Sequence, residues 1–239
     1  MIDINRVYER VLFLANKEQR GYITPDEFNS FADQAQLEIF KGYLGKKLVI
    51  AQSGLNSSDE YGDADKIIEE RLTFFDNTIT PTKGMLANNT PGIQYPDNFW
   101  SLGMIHVHSR TIGNDTLPVM ADEVSHRDLA YINLSPLTAP TSKQPVYTRH
   151  EDGIVLYPSN LNSTDDTTVV SMVYLRRPVQ PVWAHLADPT GQPIYNATLS
   201  TDFELNAAEE DELVYRILTL SGVTIKQPDL VQFGKQNEE

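Results

Sequence analysis

The chain has 239 residues, enough to bury a sizeable core as one domain or two small ones. Its 40% hydrophobic and 22% charged residues place it among globular rather than disordered proteins. It has no cysteine, which excludes disulfides and thiolate metal sites. Its net charge of −14 argues against a surface built to grip nucleic acid.

Ile2–Lys17 reads as a first helix, with Ile4, Val7, Tyr8, Val11, Leu12 and Ala15 on one face. No secretory signal is expected, because the apolar run Val11–Ala15 is short and Lys17 and Glu18 follow it. No run approaches the roughly 18 apolar residues of a membrane span. The polar connection Asn16–Tyr22 contains Gly21 and suits an antiparallel helix pair.

The strongest start signal comes next. Thr24 is a good N-cap, Pro25 takes the first helical position, and Asp26 and Glu27 face the positive end of the helix dipole. Thr24 and Glu27 also have the spacing of a capping box. Phe28, Phe31, Ala32, Ala35, Ile39, Phe40 and Tyr43 then form one stripe of a core helix reaching Leu44. Such a helix needs a partner surface, since burial of its face must offset the entropy of ordering it.

Ala51–Asp65 is polar and acidic and reads as a mobile loop. Its Asp59, Glu60, Asp63 and Asp65 lack the register of a calcium-binding EF-hand loop, so no metal site is expected there. Lys66–Phe75 reads as a short helix or a helix running into a strand, with Ile67, Ile68, Leu72 and Phe75 inward. Pro81, Gly84, Pro91, Gly92 and Pro96 then mark the start of a β-rich region.

Asn98–Arg110 holds a strand with Ile105 and Val107 on one face and Met104, His106 and His108 on the other. The His106/His108 pair has metal-like geometry, yet the sequence indicates no third ligand, and exposed or interface histidines are the better reading. Asp122–Tyr131 suits a short helix and Leu134–Pro145 a linker. Val146–Glu151 and Ile154–Tyr157 flank an Asp152-Gly153 turn, the clearest hairpin signal in the chain. Thr167–Arg176 is apolar on both faces, as a central or sandwiched strand would be, and the three strands read as one meander.

The longest basic clusters are the pairs Lys46-Lys47 and Arg176-Arg177, too short for a phosphate-binding surface. Pro178–Phe203 reads as turns and short strands. Asn206 caps a last major helix, with Glu209, Glu210, Asp211 and Glu212 at its start and Leu213, Ile217 and Leu220 as its stripe. Gly222 stands where a C-terminal cap belongs. Asp229–Gln236 follows Pro228 as a short helix. Ala51–Asp65 and Gln227–Glu239 lack apolar anchors and are expected to be ordered by neighbours.

The expected fold is therefore α+β. An N-terminal helical hairpin and a C-terminal helix form a bundle, with an antiparallel β-domain inserted. The expected boundaries are 1–80 for the first helical part, 81–203 for the β-rich domain and 204–239 for the returning helices. No P-loop, G-x-S-x-G, G-x-G-x-x-G or H-E-x-x-H motif is present, so no catalytic residue, cofactor or metal is expected.

Asn5–Phe40, and within it Ala15–Asn29 (ANKEQRGYITPDEFN) and Phe31–Phe40 (FADQAQLEIF), resembles the N-terminus of virion structural proteins of tailed bacteriophages, including crAss-like phages. YPDNFWSL (Tyr95–Leu102), IVLYP (Ile154–Pro158), VSMVYLRRP (Val170–Pro178) and ELNAAEEDELVYRIL (Glu204–Leu218) extend the likeness. In their order they resemble the tail tubular protein A-like, head-to-tail adaptor proteins of short-tailed phages. The resemblance supplies no catalytic residues. It implies a virion protein, made in the host cytoplasm and placed in the neck or tail. There it would form a homo-oligomeric ring, a dodecamer in such families, beside the portal protein and other tail proteins. DNA would pass through without specific binding, and no membrane would be involved. A receptor-binding or decoration protein is the alternative role, and a tail-associated cell-wall hydrolase a weaker one.

Overall fold

The computed structural model describes residues 1–17, 23–53, 59–112, 115–163, 168–187 and 192–224. Three helices come first: α1 (Ile4–Lys17), α2 (Pro25–Ser53) and α3 (Asp59–Leu72). Six strands follow: β1 (Asp76–Ile79), β2 (Lys83–Met85), β3 (Pro91–Gln94), β4 (Phe99–Ile112), β5 (Asp115–Met120) and β6 (Asp122–Glu123). Helix α4 (His126–Ile132) precedes β7 (Val146–Arg149), β8 (Gly153–Tyr157) and β9 (Val169–Arg176). A small hairpin, β10 (His185–Ala187) with β11 (Pro193–Tyr195), leads to α5 (Glu210–Thr224). The fold is α+β, and the chain divides into two compact units: Met1–Phe74 with Pro178–Glu239, and Phe75–Arg177. The stretch after Arg177 thus belongs with the helices, although its strands read as β-rich sequence.

In the helical unit, α5 packs against both α1 and α2, and α3 packs on α2. Asp3 caps α1, accepting from the Arg6 N–H at 2.9 Å. The capping box of α2 forms as its spacing predicts. Thr24 N–H donates to Glu27 Oε2 at 3.0 Å, and Glu27 N–H approaches Thr24 Oγ1 at 3.4 Å. These bonds hold the exposed Glu27 carboxyl below its ordinary pKa, the backbone bond from Thr24 contributing most. Of the expected stripe, Phe28, Ala32, Ala35, Ile39, Phe40 and Tyr43 are buried, while Phe31 at its edge is half-buried.

Two expectations fail here. Ala51–Asp65 is not a loop throughout, since α2 continues to Ser53 and Asp59–Asp65 forms the first half of α3. Arg71 in the last turn of α3 complements the dipole. Gly222 does not end α5, which runs on through it to Thr224. Asn206 caps not α5 itself but a 3-10 turn, Ala207–Glu209, that leads into it, its side chain accepting from the Ala208 N–H at 3.1 Å. Gln227–Glu239, including Asp229–Gln236, lies outside the described residues.

The other unit holds two sheets, ordered β1-β9-β4-β5 and β2-β3-β8-β7-β6. Their inner faces share one core of Ile93, Leu102, Ile105, Val107, Tyr147, Ile154, Leu156, Val170, Met172 and Tyr174. The β7–β8 hairpin forms around Asp152-Gly153, with Val146 opposite Tyr157 and Arg149 opposite Ile154. The three-strand meander does not. β9 leaves the hairpin and pairs instead with β4 and β1 in the facing sheet, where it is central. A Cβ on Gly153 would run into the Ile93 carbonyl and Leu86, so β3 and β8 approach closely only because that position is glycine. Asn162 is buried and ties its amide to both backbone groups of Leu156, at 2.9 and 2.8 Å.

Candidate interaction surfaces

The chain returning from the β-unit is held on the bundle by side-chain amides. Asn29 Oδ1 accepts from the Trp183 N–H at 2.7 Å, and Asn29 Nδ2 donates to the Trp183 carbonyl at 3.2 Å. Seven residues along α2, two helical turns on the same face, Gln36 repeats the arrangement. Its Nε2 donates to the Val179 carbonyl at 2.8 Å, and its Oε1 accepts from the Glu204 N–H at 3.0 Å. Each amide satisfies one backbone acceptor and one donor, as a neighbouring strand would. Asn5 on α1 completes the set by accepting from Trp183 Nε1 at 2.9 Å.

Trp183, anchored in this way, organises the hairpin above it. It packs against Tyr8 at 4.4 Å between ring centroids and stacks with His185 and Tyr195, each at 5.7 Å. On the hairpin's other face the cross-strand partners Leu186 and Ile194 are exposed. A concavity of about 630 Å³ lies between α1 and the hairpin, lined by Tyr8, Glu9, Leu12, Trp183 and Tyr195 among others. It offers rings and one carboxylate, with no nucleophile beside a base among its lining residues.

A second surface is the outer face of the β1-β9-β4-β5 sheet. Register places Met104 opposite Val173, His106 opposite Ser171 and Met120, and His108 opposite Val169 and Pro118. None of these side chains carries a fixed charge, and Met104, Met120 and Val169 are exposed. His106 and His108 do share this face. His108 Nε2 lies 2.8 Å from Ser171 Oγ, and no group of three or more His, Cys, Asp or Glu suited to a metal occurs among the described residues.

The remaining sequence candidates are dispersed. Asp59, Glu60, Asp63 and Asp65 lie along one helix. Arg176 ends β9 with its guanidinium 6.0 Å from the Phe75 ring centroid, and the Arg177 N–H donates to the Asn98 carbonyl at 2.8 Å. Lys46 and Lys47 sit in the C-terminal half of α2, Lys47 beside Glu69 at 3.7 Å.

Sequence reasoning missed the polar joint between α2, α3 and the turn that precedes α5. Arg71 Nη1 bonds Glu209 Oε1 at 2.8 Å, and the Arg71 guanidinium carbon lies 5.5 Å from the Tyr43 ring centroid. The buried Tyr43 hydroxyl makes no hydrogen bond of normal geometry, and burial, with Glu209 close by, raises its pKa well above the usual tyrosine value. Nearby, burial alone would raise the Glu212 carboxyl, but hydrogen bonding and charge from Arg216 more than offset it, and the pKa falls below its ordinary value. Gln36 was legible in principle, as the one strongly polar residue in the buried stripe between Ala32 and Tyr43.

No protein-family model matches this chain, and no curated protein matches it. No helix among the described residues is long and apolar enough to cross a membrane.

Proposed function

We propose that this chain is a structural subunit of a tailed-phage virion, forming a head-to-tail connector ring that joins portal to tail around the DNA exit channel. The observation that carries the reading is the placement of a β-sandwich unit between helices of a single bundle. That is the order which the resemblance of Asn5–Phe40, Val170–Pro178 and Glu204–Leu218 implies. The surfaces suit a component that works by contact: a sheet face exposing Met104, Met120 and Val169, and a hairpin exposing Leu186 and Ile194, each on its own unit. The charge of −14 suits a wall past which a polyanion slides without being retained.

The test is to combine the purified chain with its portal protein and inspect the mixture by negative-stain imaging and mass measurement. Closed rings of this chain, twelve copies by the resemblance, seated on one face of the portal are expected. A chain that stays monomeric beside the portal protein and is missing from purified virions would overturn the reading.

A further inference from the structure

In the β-unit, the segment that begins in α4 breaks the composition of the rest of the chain. From Leu129 to Ser142 there is no Asp, Glu, Lys, Arg or His, although 22% of the whole chain is charged. Connecting segments run over the surface and are ordinarily polar. Here Tyr131, Leu134 and Leu137 recur at every third position and are 61%, 79% and 96% exposed. Leu137 is the most exposed large hydrophobic residue among the described ones. An apolar patch of this kind on a folded surface marks a site of contact.

The segment is nevertheless bonded as an ordered unit. Ser125 Oγ caps α4 by accepting from the Asp128 N–H at 3.1 Å, and Leu129 is buried on the helix's inner side. Past the helix end, the Asn133 N–H donates to the Leu129 carbonyl at 3.0 Å and the Leu134 N–H to the Tyr131 carbonyl at 3.1 Å. Ser135 centres the next turn. Its hydroxyl accepts from the Leu137 N–H at 3.3 Å, and its carbonyl accepts from the Thr138 and Ala139 N–H groups at 3.1 and 3.0 Å. Thr138 Oγ1 then reaches back to the Ile132 carbonyl at 2.8 Å and closes the loop across its neck. Pro136 and Pro140 restrict the backbone further. These bonds hold both leucines outward in advance, so less freedom is lost when a partner covers them.

We propose that Tyr131, Leu134 and Leu137 form a preformed knob that docks into an uncharged apolar groove of a different protein. The groove is uncharged because nothing from Leu129 to Ser142 can pair an ion, and burying an unpaired charge against the knob is costly. A second copy of this chain does not match. Its three concavities among the described residues all have charged linings: Glu9 in one, Arg6, Glu9 and Arg10 in another, Asp122 and Lys143 in the third. A bilayer does not match either. Two leucines with no basic cluster beside them lack the second signal that stable anchoring needs, and anionic lipid repels a chain of −14. The inference rests on the virion reading above only for where the partner is sought.

The test is site-specific photo-cross-linking in purified virions that carry the full-length chain. p-Benzoylphenylalanine replaces Leu137, and separately Tyr131, and the adducts are identified by mass spectrometry. Both positions are expected to link to one protein other than this chain, at a surface of aliphatic and aromatic side chains. Leu134→Ser/Leu137→Ser should keep the melting temperature of the parent, since both residues are exposed, and cut the adduct from position 131 at least tenfold. Leu134→Met/Leu137→Met should retain that adduct. An adduct undiminished by the serine pair would overturn the proposal and leave the connector reading standing. So would adducts joining two copies of this chain, adducts to lipid alone, or no adduct. A chain missing from purified virions would take down the connector reading alone. The same cross-linker in the cells that make the chain then decides the knob by the same outcomes.

Discussion

Gln36→Leu tests whether the amide joints carry the stability of the bundle. Leucine fills nearly the same volume at this fully buried position, so the change removes two hydrogen bonds and little packing. Each bond contributes about 1 kcal/mol net, and a backbone group left buried without a partner costs about 1–3 kcal/mol. The Val179 carbonyl and Glu204 N–H are only partly buried, and water reaching them would recover some of that loss. The expected destabilisation is therefore about 2–3 kcal/mol, or roughly 5–10 °C in melting temperature for a chain of this size. Urea unfolding followed by tryptophan fluorescence would report it, since Trp183 is buried on the neighbouring amide joint. Exchange of the Glu204 amide should accelerate more than that of α5 amides remote from Gln36. A variant within 0.5 kcal/mol of the parent, with Glu204 protection unchanged, would refute the reasoning.

Gly153→Ala should destabilise the β-unit by about 1–3 kcal/mol, because the added methyl meets a backbone carbonyl that cannot move aside; differential scanning calorimetry would show the loss. Arg71→Met should cost about 2–3 kcal/mol, less than the roughly 3–5 kcal/mol of a fully buried pair because Arg71 is 30% exposed, and Arg71→Met/Glu209→Met should recover most of it in chemical denaturation. Glu27 and Glu212 have folded pKa values below their ordinary ones, so their stabilisation is complete above the ordinary glutamate range and lost as pH falls through the folded values. Thermal melts from pH 7 to pH 3 should therefore decline less steeply for Glu212→Gln than for the parent. Finally, the isolated chain should not bind duplex DNA measurably even at low salt; tight binding with a steep salt dependence would contradict the passive-channel reading.

What could be read in advance follows the range of the interactions. The Thr24–Glu27 box, the Phe28–Tyr43 stripe and the Asp152-Gly153 hairpin depend on residues three to eleven positions apart, and each is written in local chemistry. The partner of β9 is not. Its alternation announced a strand with two apolar faces, but pairing with β4 is set by a shared core more than 60 residues away, and proximity in the chain favoured the wrong hairpin. Asp59–Asp65 was obscured because acids suit both a solvated loop and the start of a helix, and only the continuation through Ile68 and Leu72 separates them. Of the candidate surfaces, the common face of His106 and His108 followed from period two, whereas Met120 opposite His106 required the fold. The partners of Asn29 and Gln36 were hidden for another reason, even though Gln36 stands out as polar within the stripe: they are backbone atoms, which no side-chain pattern encodes.

That last property bears on how the family of tolerated sequences is shaped. At Val179 the helix reads a carbonyl, and the Val179 N–H donates to Glu204 Oε2, while the side chain itself is half exposed. A deep mutational scan should find position 179 permissive to nearly every residue except proline, which lacks the N–H. Position 36 should accept almost nothing. The constraint on the returning segment is thus stored in α2, over 140 residues earlier in the chain, and the segment's own surface is left free to diverge.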